Sequence, residues 1–180
     1  MKSRNKIIIA LALIGVALFS VMLMIRNQQF AREEAYNQAQ QEVTTHDLQS
    51  ILPYKNKYMG NASNNIHLFY NLPLSDFTKD FSQNPNTFTL EVNFKGKSTD
   101  IEATRMKKEI IYSAVSAFAL IDNLQTLKYN YMDKTYTVKR SNIENQYGDL
   151  QTLLNESSWH TMQEKLKDNN YIQNTFQKIS

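Results

Sequence analysis

Apolar positions along the chain fall into three patterns: long unbroken runs, helical stripes and short alternations. Two runs are apolar on every side of a helix, which means burial in a core or in lipid. The first, Ile7 to Ile25, holds nineteen residues without a charge, twelve of them Ile, Leu, Val or Phe. The second, Ile110 to Ile121, is flanked by Lys107, Lys108 and Asp122, and twelve residues fall short of the ~20 that span a bilayer. It is therefore predicted as the core of a domain, within a long helix from Asp100 to Leu124 that feeds a strand from Gln125 to Met132. Thr99-x-x-Glu102 reads as the capping box that opens this helix.

Alternation marks the strands. Phe88, Leu90, Val92 and Phe94 alternate with polar residues across Thr87 to Lys95, the period of a strand with one wet face. Leu127, Tyr129 and Tyr131, then Tyr136 and Val138, alternate on either side of Asp133-Lys134 and predict a hairpin. A short helix is expected over Asn64 to Leu72, capped by Ser63 or Asn61 and ended by Pro73. Residues 75–86 read as a polar connection. Ser141-x-x-Glu144 reads as a second capping box, opening a helix that stops at Gly148. Further helices are expected around Asp149 to Leu154, around Trp159, Met162 and Leu166, and around Ile172, Phe176 and Ile179, the last capped by Asn169 or Asn170. The sum is an α+β domain: a small antiparallel sheet packed against one long helix, with short C-terminal helices and a preceding transmembrane helix.

The first run is predicted as that transmembrane helix. Twelve large apolar residues contribute roughly −4 to −7 kcal/mol on an insertion scale. The rival, a cleaved signal peptide, calls for a shorter apolar region ending in small residues, whereas this one runs through Val21-Met22-Leu23-Met24-Ile25 into Arg26. Residues 1–6 form a basic cytoplasmic segment, 7–25 the anchor, 26–47 a helical stalk and 48–180 an extracytoplasmic domain. The stalk has Ala31, Ala35, Ala39 and Val43 at i+4 spacing without the large a/d residues of a coiled coil. Lys2, Arg4 and Lys6 before the span outweigh Arg26 and Arg32 after it, so the N-terminus is expected in the cytoplasm and the domain outside the cell.

Composition removes several function classes. The net charge of +3 resides in those three N-terminal bases, and the rest of the chain is neutral, which gives no nucleic-acid footprint. The absence of Cys excludes disulfides, Cys-ligated zinc, a thiol nucleophile and a lipid anchor on an N-terminal cysteine. Four scattered glycines leave no nucleophile elbow, Walker loop or dinucleotide turn. Of His46, His67 and His160, only His160 has an acid three or four residues further on, Glu164, so no metal and no cofactor are expected. The acid pairs Asp76 with Asp80 and Asp122 with Glu144 read as solvated faces or caps before they read as catalytic pairs. Two places are candidates for ligand contact. Asp122-Asn123, at the exit of the apolar helix, either caps and steers the chain or offers a carboxylate to a cationic or amide ligand. Tyr54, Tyr58 and Tyr70 with Lys55 and Lys57 either pack the first helix or form an aromatic, cationic patch. Tyr58, Asp122 and Asn123 are the ligand-binding candidates; no catalytic residue is expected.

The stretches YKNKYMGNASNNIHLFYNLP, TLEVNF, FALIDNLQTLKYNY and TVKRSNIENQYG resemble a family of uncharacterised extracytoplasmic domains of Gram-positive bacteria, domain of unknown function 4825. The likeness rests on Tyr58-Met59-Gly60, Leu72-Pro73, Phe118 to Asn123, Tyr147-Gly148 and Trp159. Where the family carries an acid after the turn glycine, this chain has Asn61. The resemblance implies membrane anchoring and fold, and no activity. The expected function is thus a membrane-anchored, non-enzymatic binding or sensing domain for a peptide, a cell-wall fragment or a protein partner. The alternatives are a structural accessory subunit of an envelope membrane complex and an envelope hydrolase.

Overall fold

The computed structural model describes residues 3–74 and 76–180; Met1 and Lys2, part of the expected basic segment, lie outside the described residues. The chain divides into two compact units, Met1–Ala39 and Gln40–Ser180. The described residues of the first unit are helical, the greater part of helix α1 (Ser3–Gln40). The most apolar window of its Ile7–Gln40 stretch has a mean hydropathy of 2.9 and buries nothing, the property of a candidate membrane span.

The second unit has a four-stranded sheet of β1 (Lys79–Asn84), β2 (Thr89–Phe94), β3 (Thr126–Asn130) and β4 (Thr135–Lys139), in that spatial order. Helix α2 (Ala62–Asn71) precedes the sheet, and α3 (Ala103–Leu120) joins β2 to β3. Helices α4 (Arg140–Tyr147), α5 (Glu156–Lys165) and α6 (Asn169–Ile179) complete the unit. The two outer strand pairs are antiparallel, but β2 and β3 run parallel. The sheet is therefore mixed, not purely antiparallel as expected. The reason is the connection: a helix between adjacent strands returns the chain to its starting side, so the second strand repeats the direction of the first.

Helix α3 is the core. Every residue from Ile110 to Ile121 is 0% exposed, and each large apolar side chain buried there contributes about 1.5–3 kcal/mol. The helix is shorter than its apolar run suggests, because Ile121 leaves the helix and forms an isolated parallel bridge with Asn56. The two buried serines of α3 find partners. Ser116 Oγ donates to Tyr112 C=O at 2.8 Å, and Ser113 Oγ donates to Ile110 C=O at 3.2 Å while accepting from Tyr129 O–H at 2.8 Å.

The Tyr112 hydroxyl sits in a directional chain. His46 Nε2 lies 2.7 Å from the Asn71 carbonyl, which only accepts, so Nε2 carries the proton. Burial pushes the His46 pKa below 6.5 and keeps the ring neutral, against an opposing pull from that carbonyl. Nδ1 then accepts from Tyr112 O–H at 2.8 Å, and Trp159 Nε1–H donates to the same hydroxyl at 3.0 Å. Gln163 Nε2 fastens the segment further by donating to Val43 and His46 carbonyls, both at 2.8 Å.

Several local expectations change. Strand β1 lies inside the presumed connection 75–86; its inward positions are Lys79, Phe81 and Gln83, so one apolar residue left no periodic signal. Phe88 is no strand residue: its φ of 49° turns the backbone so that its carbonyl accepts from Gln125 and Thr126. The capping box at Thr99 does not form. Glu102 itself caps α3, accepting from Thr104 N–H at 2.8 Å and Arg105 N–H at 2.6 Å. Helix α4 begins at Arg140 without a side-chain cap and ends at Gly148, whose φ of 76° suits a residue without Cβ. Asp168, not Asn169 or Asn170, caps α6.

Candidate functional site

The last carbonyls of a helix have no partner within it, and those of α3 are met from three distant segments. Arg140 Nη2 donates to Phe118 C=O at 2.7 Å and Ile121 C=O at 2.6 Å, and its Nε donates to Leu124 C=O at 2.7 Å. Gln151 Nε2 donates to Ala119 C=O at 2.8 Å, and Asn56 N–H to Leu120 C=O at 2.8 Å. The Arg140 guanidinium also stands over the Phe118 ring, 5.3 Å from its centroid. A cation at this end is favoured by the helix dipole, and the planar fork supplies donors in several directions at once.

The same exit gathers the residue 55–59 segment. Asp122 N–H donates to Asn56 C=O at 3.0 Å, completing the bridge that Asn56 N–H begins. Asn123 Oδ1 accepts from Met59 N–H at 2.6 Å. Asn123 is thus a backbone clamp, holding Tyr58-Met59 beside the helix exit. Asp122 is exposed and faces a groove of about 520 Å³ with Lys55, Lys57, Arg140, Glu144 and Gln151. Tyr58 is 67% exposed and is not among the groove's lining residues. The three candidates therefore share one neighbourhood but point to different ends: one clamps, one lines the groove, one faces solvent.

Charges in the groove divide into engaged and free. Arg140 Nη1 lies 3.3 Å from Glu144 Oε1, and Lys55 Nζ donates to Gln151 Oε1 at 2.6 Å. Asp149 caps the following turn by accepting from Gln151 N–H at 3.0 Å. Among the described residues neither the Lys57 ammonium nor the Asp122 carboxylate has a hydrogen-bonded or ion-paired partner. The groove thus presents one unpartnered cation and one unpartnered anion on a backbone that the Asn56 bridge holds in place. Among the described residues its lining has no hydroxyl, thiol or imidazole.

The remaining candidates disperse. Tyr54 stacks on His67, with ring centroids 6.4 Å apart, and Tyr70 O–H donates to Lys79 C=O at 3.3 Å. Tyr54 thus packs on α2 and Tyr70 braces the edge of β1, while Tyr58 faces solvent. His160 sits 3.4 Å from Glu164 on the surface. Asp80 pairs with Lys95, while Asp76 lies 3.8 Å from Arg105. Asp122 and Glu144, by contrast, do line the same groove. Among the described residues no group of three or more His, Asp or Glu is placed to hold a metal ion. Sequence reasoning missed Arg140 and Gln151. Their partners are carbonyls of a helix far away in sequence, and no local spacing reports that.

Residues 51–144 match a family described as a domain of unknown function, DUF4825. The match covers slightly more than half of the chain, and the chain belongs to this family. It includes α3, its exit, the hairpin and Arg140, and stops short of Gln151 and Trp159. Neither the comparison with curated proteins nor that with solved structures gives a match.

Proposed function

We propose that this DUF4825 member is a membrane-anchored, extracytoplasmic binding or sensing domain without enzymatic activity, and that its ligand occupies the groove at the exit of α3. The observation that carries the reading is the pair of opposite, unpartnered charges, Lys57 and Asp122, beside a groove of about 520 Å³. Charged groups left free on a rigid frame suit a ligand that carries both signs, such as a peptide or a peptide-bearing wall fragment. The candidate span and the three bases before it support an N-terminus in the cytoplasm and a ligand met outside the cell, as in a Gram-positive envelope.

The test is calorimetric titration of the full chain in detergent with short zwitterionic peptides and with soluble peptidoglycan fragments. Saturable binding is expected, weakened about tenfold or more in Lys57→Gln and again in Asp122→Asn, the loss of a charge-assisted contact each. Binding that ignores both substitutions, or no binding to either class, overturns the reading. Turnover of a peptide or wall substrate that Asp122→Asn abolishes would replace it with a hydrolase.

A further inference from the structure

The two edges of the sheet differ. At β4, Val138 is buried and Lys139 leads directly into α4. At β1 the ladder leaves backbone groups open. Lys95 N–H donates to Thr78 C=O at 2.9 Å just before the strand, and an antiparallel ladder alternates from there. In the observed register Asp80, Ser82 and Asn84 therefore bond to β2, while Lys79, Phe81 and Gln83 turn N–H and C=O outward. The Lys79 carbonyl accepts from Tyr70 O–H at 3.3 Å, so α2 reaches round the edge at that point. Among the described residues nothing meets the outward groups of Phe81 and Gln83. Beside them lies an apolar notch of about 40 Å³, lined by Ala62 and Ile66 of α2 and by Phe81, Ser82, Gln83 and Leu90. Its walls are tied together: Asn65 is buried in α2, and its Nδ2 donates to Met59 C=O at 2.5 Å and to Gln83 Oε1 at 3.2 Å.

We infer that the seam between β1 and α2 docks an extended, uncharged segment of a partner protein, added antiparallel to β1 with a small aliphatic side chain in the notch. The backbone sets the form of this occupant. Outward groups two residues apart match the repeat of an extended chain, which closes two bonds with Phe81 and two with Gln83. A helix keeps its own N–H and C=O groups engaged and cannot meet them. The pleat sets the side chains. Partner residues facing Phe81 and Gln83 point to the notch side, and the one between them, facing Ser82, points to the wet face. The notch holds one small group, so the segment reads aliphatic, polar, aliphatic. The walls set the charge. Neither α2 nor the run from Phe81 to Asn84 contains an acid, lysine or arginine, and a charge carried into this seam loses water without gaining a partner. A second copy of β1 fits poorly, because it brings Lys79, Phe81 and Gln83 to the notch side, all larger than the notch holds. Main-chain bonds for affinity with a side-chain pocket for specificity is a recurring mode of peptide capture. The seam shares no lining residue with the groove at the exit of α3.

Amide exchange of the full chain in detergent reads the seam residue by residue. In the free chain the Phe81 and Gln83 amides should exchange at least ~10-fold faster than that of Ser82, which bonds to β2. The probes are four capped peptides, acetyl-Thr-Xaa-Thr-Zaa-Thr-amide, with Ala or Val at each variable position. They carry no charge, so they lack what Lys57 and Asp122 call for. At about ten times its Kd a bound peptide should slow the Phe81 and Gln83 amides ~10-fold, with Thr137 on β4 unchanged. Methylating the two amides that face Phe81 and Gln83 should abolish the effect. So should Ala62→Leu, which fills the notch from an exposed position at the start of α2 and keeps a good helix former there. The inference is overturned if the Phe81 and Gln83 amides of the free chain are as slow as Ser82, or if none of the four peptides slows them. It is equally overturned if the slowing survives methylation or Ala62→Leu in a chain with native circular dichroism. Slowing that grows with the concentration of the chain alone would give the edge to a second copy instead. Lys57→Gln and Asp122→Asn leave the peptide effect unchanged, so this inference and the groove reading fail separately.

Discussion

A groove lies at each end of helix α3, and the two are built differently. At the entry, about 450 Å³ opens beside Glu42, Glu102, Arg105, Lys108 and Lys167, and every one of these charges has a neighbour. Lys108 pairs with Glu42 at 2.5 Å, Arg105 with Glu109 at 2.7 Å, and Lys167 with Glu164 at 2.6 Å. Glu102 accepts two backbone N–H groups of its own first turn. At the exit the helix end is closed by Asn56, Arg140 and Gln151, far apart in sequence, and Lys57 and Asp122 are left over. A helix end closed locally leaves its surroundings free to neutralise one another. An end closed by converging segments becomes the joint of the fold, and side chains the joint does not use are available to a ligand.

The sharpest way to break this contrast is to remove the joint. Arg140→Ala leaves the Phe118 and Leu124 carbonyls without a donor, and the Ile121 carbonyl with only the Leu124 N–H, in a mostly buried place, at about 1–3 kcal/mol for each group water cannot reach. Urea unfolding of the full chain in detergent should therefore show a loss of about 3 kcal/mol or more. Arg140→Lys should recover little, because one ammonium does not reproduce a planar fork aimed at three carbonyls. Gln151→Ala removes a single donor and should cost about 1 kcal/mol. A small loss for Arg140→Ala would mean that the exit is not the joint described here.

What was legible in the sequence divides along the same line. The apolar run at Ile110 to Ile121, the β3–β4 hairpin, the stop at Gly148 and the position of α2 all follow from signals within a few residues of one another. Strand β1 was not legible, because Phe81 is its one large apolar residue and the pairing that makes it a strand comes from β2. Nor was the parallel pairing of β2 with β3, which depends on where α3 delivers the chain. At the candidate site Asp122 and Asn123 stood out as polar residues ending an apolar helix. That pattern does not say that Asn123 clamps Met59 while Asp122 stays free. Arg140 looked like one more base after a strand.

The middle of α3 gives an intermediate case, in which distant partners meet inside the core. Tyr112→Phe strands Trp159 Nε1–H and His46 Nδ1 together, and a loss of about 2 kcal/mol is expected in the same unfolding assay. The histidine makes part of this stability depend on pH. Its folded pKa lies below 6.5 because burial disfavours the charged ring. On acidification past 6.5 the unfolded chain takes up this proton before the folded one does, so stability falls by at most ~1.4 kcal/mol per pH unit until the folded ring protonates as well. Above 6.5 His46 adds no pH dependence. Unfolding measured from pH 7.5 to 5.5 should show this slope in the native chain and lose it in His46→Gln; an unchanged slope would assign it to other groups.

The smallest effect belongs at the entry. The Glu102 carboxyl is held below its ordinary pKa of 4.5 by the backbone N–H groups of Thr104 and Arg105. Its contribution is therefore complete at neutral pH, and is lost as the pH falls through that lowered value. Glu102→Ala frees two donors that water reaches readily, so the damage should stay within the first turn. Amide exchange should quicken at Thr104 and Arg105, while amides from Ile110 to Leu120, which share no partner with Glu102, keep their protection. Glu102→Gln, which retains an acceptor without the charge, should fall between the native chain and Glu102→Ala. If Glu102→Ala instead loosened the Ile110 to Leu120 amides as Arg140→Ala is expected to, both ends of α3 would be joints. The unpartnered charges beside Asp122 would then need a cause other than the way their end of the helix is closed.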